Sequence, residues 1–197
     1  MAKEPCETHP ICTECIDVFT DGSEIKNKKY QTLGLGWAYI IKRNKVWFHE
    51  QSGSITEGTN QRVELLAIYN ALMYLTHENI QSSDITVYTD SEYSLKCITV
   101  WSTTWKRNGW KKTGTAYSVK HRDIIEPCMQ MYVTLQQNNE IRFQHVHSHI
   151  YPNGYIGTMD YPSEGNSEVD KLATTVSRSI VKLNMCTSYK NTRCHAL

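Results

Sequence analysis

"VFTDGS", residues 18–23, is a short apolar run that stops on an acid, a glycine and a serine. Asp-Gly is a common turn signal, because Gly supplies positive φ and Asp bonds its own backbone. The arrangement recurs in "ITVYTDSEY", residues 85–93, where a β-branched and aromatic run again ends on an acid, Asp90. Two strands thus end in Thr-Asp followed by a small residue. Turn chemistry explains each acid alone. Carboxylates presented from the ends of neighbouring strands, however, can converge on one point, and converging carboxylates need a cation between them.

Working outward, residues 16–20 read as a first strand. "GLGWAYIIKR" (34–43) and "KVWFHEQSG" (45–53) read as two more, joined by a tight polar turn at Arg43, Asn44 and Lys45. "TNQRVELLAIYNALMYLTHE" (59–78) then changes period: Leu65, Ile68, Leu72 and Leu75 recur at helical spacing behind Thr59 or Asn60 as N-cap. A fourth strand, 85–89, leads into a short helix over about 91–101 and then an irregular basic stretch. Residues 122–137 read as helix despite Pro127, and "IRFQHVHSH" (141–149) as a fifth strand. A last helix starting near Asn166 or Ser167 carries Val169, Leu172, Ala173, Val176 and Ile180 on one face. This order predicts an α/β fold, a five-stranded mixed β-sheet flanked by α-helices, with no internal repeat.

The 197 residues, 40% hydrophobic and 21% charged, suffice for one globular domain with a real core. No stretch approaches 18 apolar residues, and "MAKEPCETHP" lacks the apolar region of a secretory signal, so an intracellular setting, cytoplasmic or nuclear, is expected, without membrane contact. The net charge of +1 means that any basic patch must be local. Seven cysteines, an odd count, suit a reducing compartment. Cys6, His9, Cys12 and Cys15 crowd one terminus, and Cys186, Cys194 and His195 the other. Their spacing offers zinc ligands, but the loops are short for a tetrahedral ion, and reduced thiols on loose tails are the simpler reading. The chain divides into an N-terminal tail (1–15), a catalytic domain (16–183) and a C-terminal tail (184–197).

Two further acids stand near helix starts: Glu64 in what reads as the first turn after Thr59, and Asp170 in the opening turn of the last helix. Each alone is satisfied by the helix dipole. Together with their neighbours they form a pattern. "FTDGS", "TNQRVEL", "YTDSEY", a "SH" closing a strand, and "GNSEVDKLA" occur in this order, and they resemble the type 1 ribonuclease H family over roughly residues 16–183. The resemblance implies an endonuclease that hydrolyses the RNA strand of RNA–DNA hybrids, leaving 5′-phosphate and 3′-hydroxyl ends. It implies that Asp21, Glu64, Asp90 and Asp170 hold two Mg²⁺ ions, with Mn²⁺ able to substitute, and that His149 is the catalytic histidine. His145 and His147 share its strand face and read as exposed polar residues.

Between residues 94 and 122 the chain carries Lys96, Lys106, Arg107, Lys111, Lys112, Lys120 and Arg122 with no Asp or Glu, interleaved with Trp101, Trp105 and Trp110. A solvated charged face is the plain reading; uncompensated charge beside three Trp favours a nucleic-acid groove. It resembles the family's basic handle, which carries the DNA strand. The resemblance also implies that Asn60 and Gln61 touch the hybrid near the cut, and that Thr59 belongs to a DNA-phosphate pocket.

Glu57 and His121 depart from the family pattern at that pocket. The connection from His149 to Asp170 is about twice the usual length, and its residues 150–163 are expected to be mobile and exposed. A stand-alone monomeric catalytic domain is expected, serving replication primer removal or R-loop clearance. The rivals are a catalytically silent hybrid-binding module and a Holliday-junction resolvase or transposase-like nuclease of the same sheet topology.

Overall fold

A computed structural model describes residues 14–29, 31–112, 114–148 and 158–193, with side chains as far as Asn184. Strands β1 (Glu14–Lys26), β2 (Thr32–Arg43) and β3 (Val46–Ile55) form an antiparallel meander. Strands β4 (Ser83–Thr89) and β5 (Glu140–His145) extend it in parallel, giving the order β3-β2-β1-β4-β5. The five-stranded mixed sheet expected from the order of elements is therefore present.

Alternation along the strands gives the sheet two apolar faces. On one, Ile16, Val18, Ile41, Ile85 and Val87 pack with Leu65, Ile68 and Leu72 of helix α1 (Asn60–His77) and with Ile125 and Cys128 of helix α4 (Arg122–Leu135). On the other, Phe19, Ala38, Ile40 and Tyr88 pack with Val169 and Ala173 of helix α5 (Tyr161–Arg193). Close approach of α5 to β2 depends on Gly36, where a Cβ would stand 2.6 Å from the Ala173 carbonyl oxygen.

Several boundaries differ from expectation, each for a local reason. β1 does not stop at Thr20: it runs through Asp21, Gly22 and Ser23 to Lys26, with Asp21 opposite Ala38 and Gly22 opposite Trp37. Gly22 is needed for approach rather than for a turn, since a Cβ there would lie 2.5 Å from the Glu64 nitrogen and 2.8 Å from the Val63 carbonyl carbon.

The helix after β4 does not end at residue 101. Helix α2 (Glu92–Lys96), a π-helical turn (Cys97–Trp101) and helix α3 (Ser102–Arg107) follow one another without a break. Thr99 and Ser102 hydroxyls donate to the carbonyls of Leu95 and Ile98, supporting the widened turn.

β5 ends at His145, shorter than the strand expected to reach residue 149. α5 begins at Tyr161, ahead of Asn166, because Asp160 caps it: its carboxylate accepts from the Ser163 amide at 3.0 Å and the Ser163 hydroxyl at 3.1 Å, with Pro162 in the first turn. Tyr161 packs edge-on against Phe19 and Ser163 is buried, so the expectation of an exposed connection fails for residues 161–163.

Residues 149–157 lie outside the described residues, and so do Cys6, His9, Cys12, Cys194 and His195, on which the zinc and reduced-tail expectations rest. Cys15 sits within β1 and is disulfide-bonded, contrary to the expectation of a reduced thiol on a tail. Cys97 and Cys128 are free and buried. No helix among the described residues is long and apolar enough to cross a membrane.

Candidate active site

Strand register brings the first two acids together. Thr20 pairs with Thr89 at the end of the parallel β1–β4 ladder, and the next residue on each chain is an acid, Asp21 and Asp90. β4 ends there while β1 continues, so the sheet has a step on which two carboxylates stand side by side.

Glu64 reaches the same step from α1. It is the helix's fifth residue, so it sits in the second turn and not the first; no acid occupies the first turn. The dipole explanation is thereby removed, and Glu64 is instead 6% exposed beside Asp21, itself 5% exposed. Carboxylate oxygens of Asp21, Glu64 and Asp90 all lie within 4.8 Å of one another. Asp170 completes the group from the third turn of α5, deeper in the helix than its expected opening turn, with its carboxyl in hydrogen-bonding reach of Asp21. The Thr174 hydroxyl, one turn on, donates to Asp170 at 3.4 Å.

These carboxyls are held at a cost. Burial, then the charges of Asp90 and Asp170, pushes the Asp21 carboxyl well above the usual carboxylate range. Burial, then Asp21 and Asp90, does the same to Glu64. Asp90 is raised by burial, with the Ser148 hydroxyl partly offsetting this by hydrogen bonding the carboxylate. One Glu64 oxygen accepts from the Asn60 side-chain amide at 3.2 Å, while the other, Oε2, is buried with no partner. An orphaned buried acceptor among converging hard oxygens fits a divalent cation bound by oxygen ligands.

The residues expected to bind substrate are spread over two regions. Thr59 is the N-cap of α1, with its hydroxyl oxygen buried and unpartnered; Asn60 and Gln61 follow it, both exposed. Lys106, Arg107, Lys111 and Lys112 are exposed around the end of α3 and the turn beyond. Trp101 and Trp105 are half-buried, with ring centroids 5.6 Å apart, and pack on the core.

Trp110 departs from expectation. It is a core residue, 4% exposed, and positive φ at Gly109 and Trp110 reverses the chain and turns the indole inward under the Arg122 guanidinium. Its burial removes it from any groove. His149 lies outside the described residues.

Two contacts escaped sequence reading. Ser148 bonds Asp90, and His145, expected to be an exposed strand residue, is half-buried with its Nε2 3.0 Å from the Asp90 carbonyl oxygen. The "HVHSH" alternation marked their strand, but nothing in it shows that β5 stops at His145.

The sequence matches the RNase H family model over residues 13–178. It is 33% identical over 138 residues to the ribonuclease H of Francisella philomiragia, spanning 70% of this chain and 77% of that protein. It is 32% identical over 171 residues to the ribonuclease H of Schizosaccharomyces pombe, spanning 85% of this chain and 56% of that one. In fold it is similar to the PFV RNase H domain, with a TM-score of 0.64 at 23% identity over 83% of this chain and 94% of that domain. It is likewise similar to LC11-RNase H1, solved with an RNA/DNA hybrid, with a TM-score of 0.56 at 18% identity over 83% of this chain and 97% of that one. With the acids of two strands and two helices gathered on one step of such a sheet, this chain belongs to the ribonuclease H family and is a ribonuclease H enzyme.

Proposed function

We propose that the protein hydrolyses the RNA strand of RNA–DNA hybrids at the step between β1 and β4, with Asp21, Glu64, Asp90 and Asp170 holding two Mg²⁺ ions, for which Mn²⁺ substitutes. The observation that carries the reading is the approach of three carboxylates within 4.8 Å around an unpartnered Glu64 oxygen. Bound there, the ions supply Lewis-acid polarisation of the scissile phosphate and a nucleophilic water at neutral pH. The Asn60 amide holds one Glu64 oxygen and leaves the other free to ligate. The Ser148 hydroxyl steadies the Asp90 carboxylate. His149 serves proton transfer or product release, as suits an imidazole that exchanges protons near neutrality. The products are 5′-phosphate and 3′-hydroxyl ends.

Lys106, Arg107, Lys111 and Lys112 take the DNA strand's phosphates, with Trp101 and Trp105 as the apolar floor beside them. The hybrid is told from duplex DNA by 2′-hydroxyls reached across the wide minor groove, a contact assigned to Asn60, which is bonded to Glu64, and its exposed neighbour Gln61. All four acids come from one chain, so a monomer suffices.

The test is a Mg²⁺-dependent cleavage assay on RNA–DNA hybrid, duplex RNA and a four-way DNA junction, with the Asp90→Asn variant alongside. Wild type should cut the hybrid's RNA strand alone, and Asp90→Asn should bind hybrid without cutting it. Binding without cleavage by wild type would make the protein a silent hybrid-binding module, and cutting of the junction would make it a resolvase-like nuclease.

A further inference from the structure

We infer that His145 is a positioning residue that fixes the backbone of Asp90 and thereby sets the site's affinity for its divalent cations; the inference rests on the metal-binding reading above. The four acids are not held alike. Asp21 lies inside a continuous strand, paired with Ala38 on one side. Glu64 and Asp170 lie inside helices. Asp90 alone stands past the end of its strand, between β4 and α2, where no ladder holds it.

The β4–β5 ladder closes at Thr89 opposite His145, with the Val146 amide donating to the Thr89 carbonyl at 3.0 Å. The next carbonyl along the chain, that of Asp90, lies beyond the last pair of this ladder. The His145 side chain takes over: its Nε2 is 3.0 Å from the Asp90 oxygen. A carbonyl can only accept, so Nε2 carries the hydrogen whatever the charge of the ring. The His147 ring stands edge-on to the imidazole, with centroids 5.0 Å apart. On the other side, the Ser91 amide donates to the Thr89 hydroxyl at 3.1 Å. The Asp90–Ser91 peptide unit is thus held at its carbonyl by His145 and at its amide by Thr89, the Val146 amide holds the Thr89–Asp90 unit before it, and the carboxylate's direction follows from them. Groups behind metal ligands that fix their orientation affect metal affinity about as strongly as a tenfold change or more.

The experiment compares wild type, His145→Ala and His145→Gln by following the melting temperature of each protein as Mg²⁺ is titrated, with Mg²⁺ binding measured by calorimetry. Each variant is referred to its own metal-free form, so a general loss of stability cancels. His145→Ala should raise the half-saturating Mg²⁺ concentration about tenfold. His145→Gln, which keeps an N–H donor at similar reach, should recover most of that loss. At saturating Mg²⁺ the KM for hybrid should be unchanged in both. Unchanged half-saturation in His145→Ala would overturn the role, as would a Gln variant no better than Ala, which would assign the effect to ring packing. A wild type with no Mg²⁺ response would instead sink the metal reading and this inference with it.

Discussion

At the scale of single residues, Asp21 shows how one side chain's meaning depends on where its strand ends. In a turn, it would have bonded its own backbone. In the structure it is an interior strand residue, 5% exposed, facing Glu64 and Asp90. Two unit charges about 4.8 Å apart repel by roughly 3 kcal/mol at an effective dielectric of 20, so the metal-free site opposes folding. Asp21→Asn removes one of those charges with little change in shape. The variant should melt a few degrees above metal-free wild type, at about 2–4 °C per kcal/mol for a chain of this size, and should lose most of the rise that Mg²⁺ gives wild type. Thermal melts with and without Mg²⁺ check both at once. A variant that melts lower and keeps the full Mg²⁺ response would return Asp21 to the role of a structural residue.

At the scale of elements, the site is built by close approach as much as by its acids. α1 reaches the sheet because Gly22 has no side chain, and Gly22→Ala would put a Cβ 2.5 Å from the Glu64 nitrogen. Neither backbone can yield cheaply, so α1 must shift and carry Glu64 with it. The expected result is a loss of stability of about 1–3 kcal/mol together with at least a tenfold loss of hybrid cleavage, read by denaturant melts and by turnover. The basic segment separates in a similar way. Replacing Lys106, Arg107, Lys111 and Lys112 by Ala should lower the slope of log affinity against log salt by about 3.6, at about 0.9 per phosphate contact, while leaving the melting temperature nearly unchanged. Trp110→Ala should do the reverse, costing about 3–5 kcal/mol of stability with no change in salt slope, because that indole is core. Equal effects of the two variants on the slope would put Trp110 back in the groove. Sequence reading could separate strands from helices, since Ile85 to Thr89 and Leu65, Ile68, Leu72 and Leu75 keep distinct periods. It could not place Trp110, whose inward turn depends on positive φ at two successive residues. Nor could it find the start of α5, where Asp160 was one more polar residue in a long connection until Ser163 was seen to bond it. The four acids were legible through the ordered motifs that resemble the ribonuclease H family; His145 was not, because β5 was expected to run on to residue 149 and instead ends at His145, whose side chain turns to the Asp90 carbonyl.

At the scale of the whole molecule, the crowded carboxylates make stability depend on pH in a direction opposite to that of most folded proteins. Asp21, Glu64 and Asp90 all have folded pKa values above their ordinary range, burial being the first cause in each. Above about pH 4, where unfolded carboxyls have lost their protons, the folded state still holds some of them. The folded protein then binds more protons than the unfolded one, so stability falls as pH rises from about 4 through the raised folded values. Asp17, raised chiefly by burial, adds to the same trend. His121 opposes it, because burial lowers its folded pKa and unfolding then takes up protons until pH passes about 6.5. That is one group against four. The lowered carboxyls of Glu24, Glu92, Asp123 and Glu126 act only below about pH 4.5, where unfolded carboxyls take up protons. Metal-free protein should therefore melt several degrees higher at pH 5 than at pH 8. Saturating Mg²⁺ should remove most of that difference, since cations replace the protons as neutralising charge and bind better as pH rises. Melting curves across pH 5–8 in chelator and in Mg²⁺ decide the matter. A chelated protein whose melting temperature stays level, or climbs, over that range would mean that Asp21, Glu64 and Asp90 do not share one buried site. The Asp21→Asn variant should show a shallower fall than wild type, because it has one proton fewer to lose.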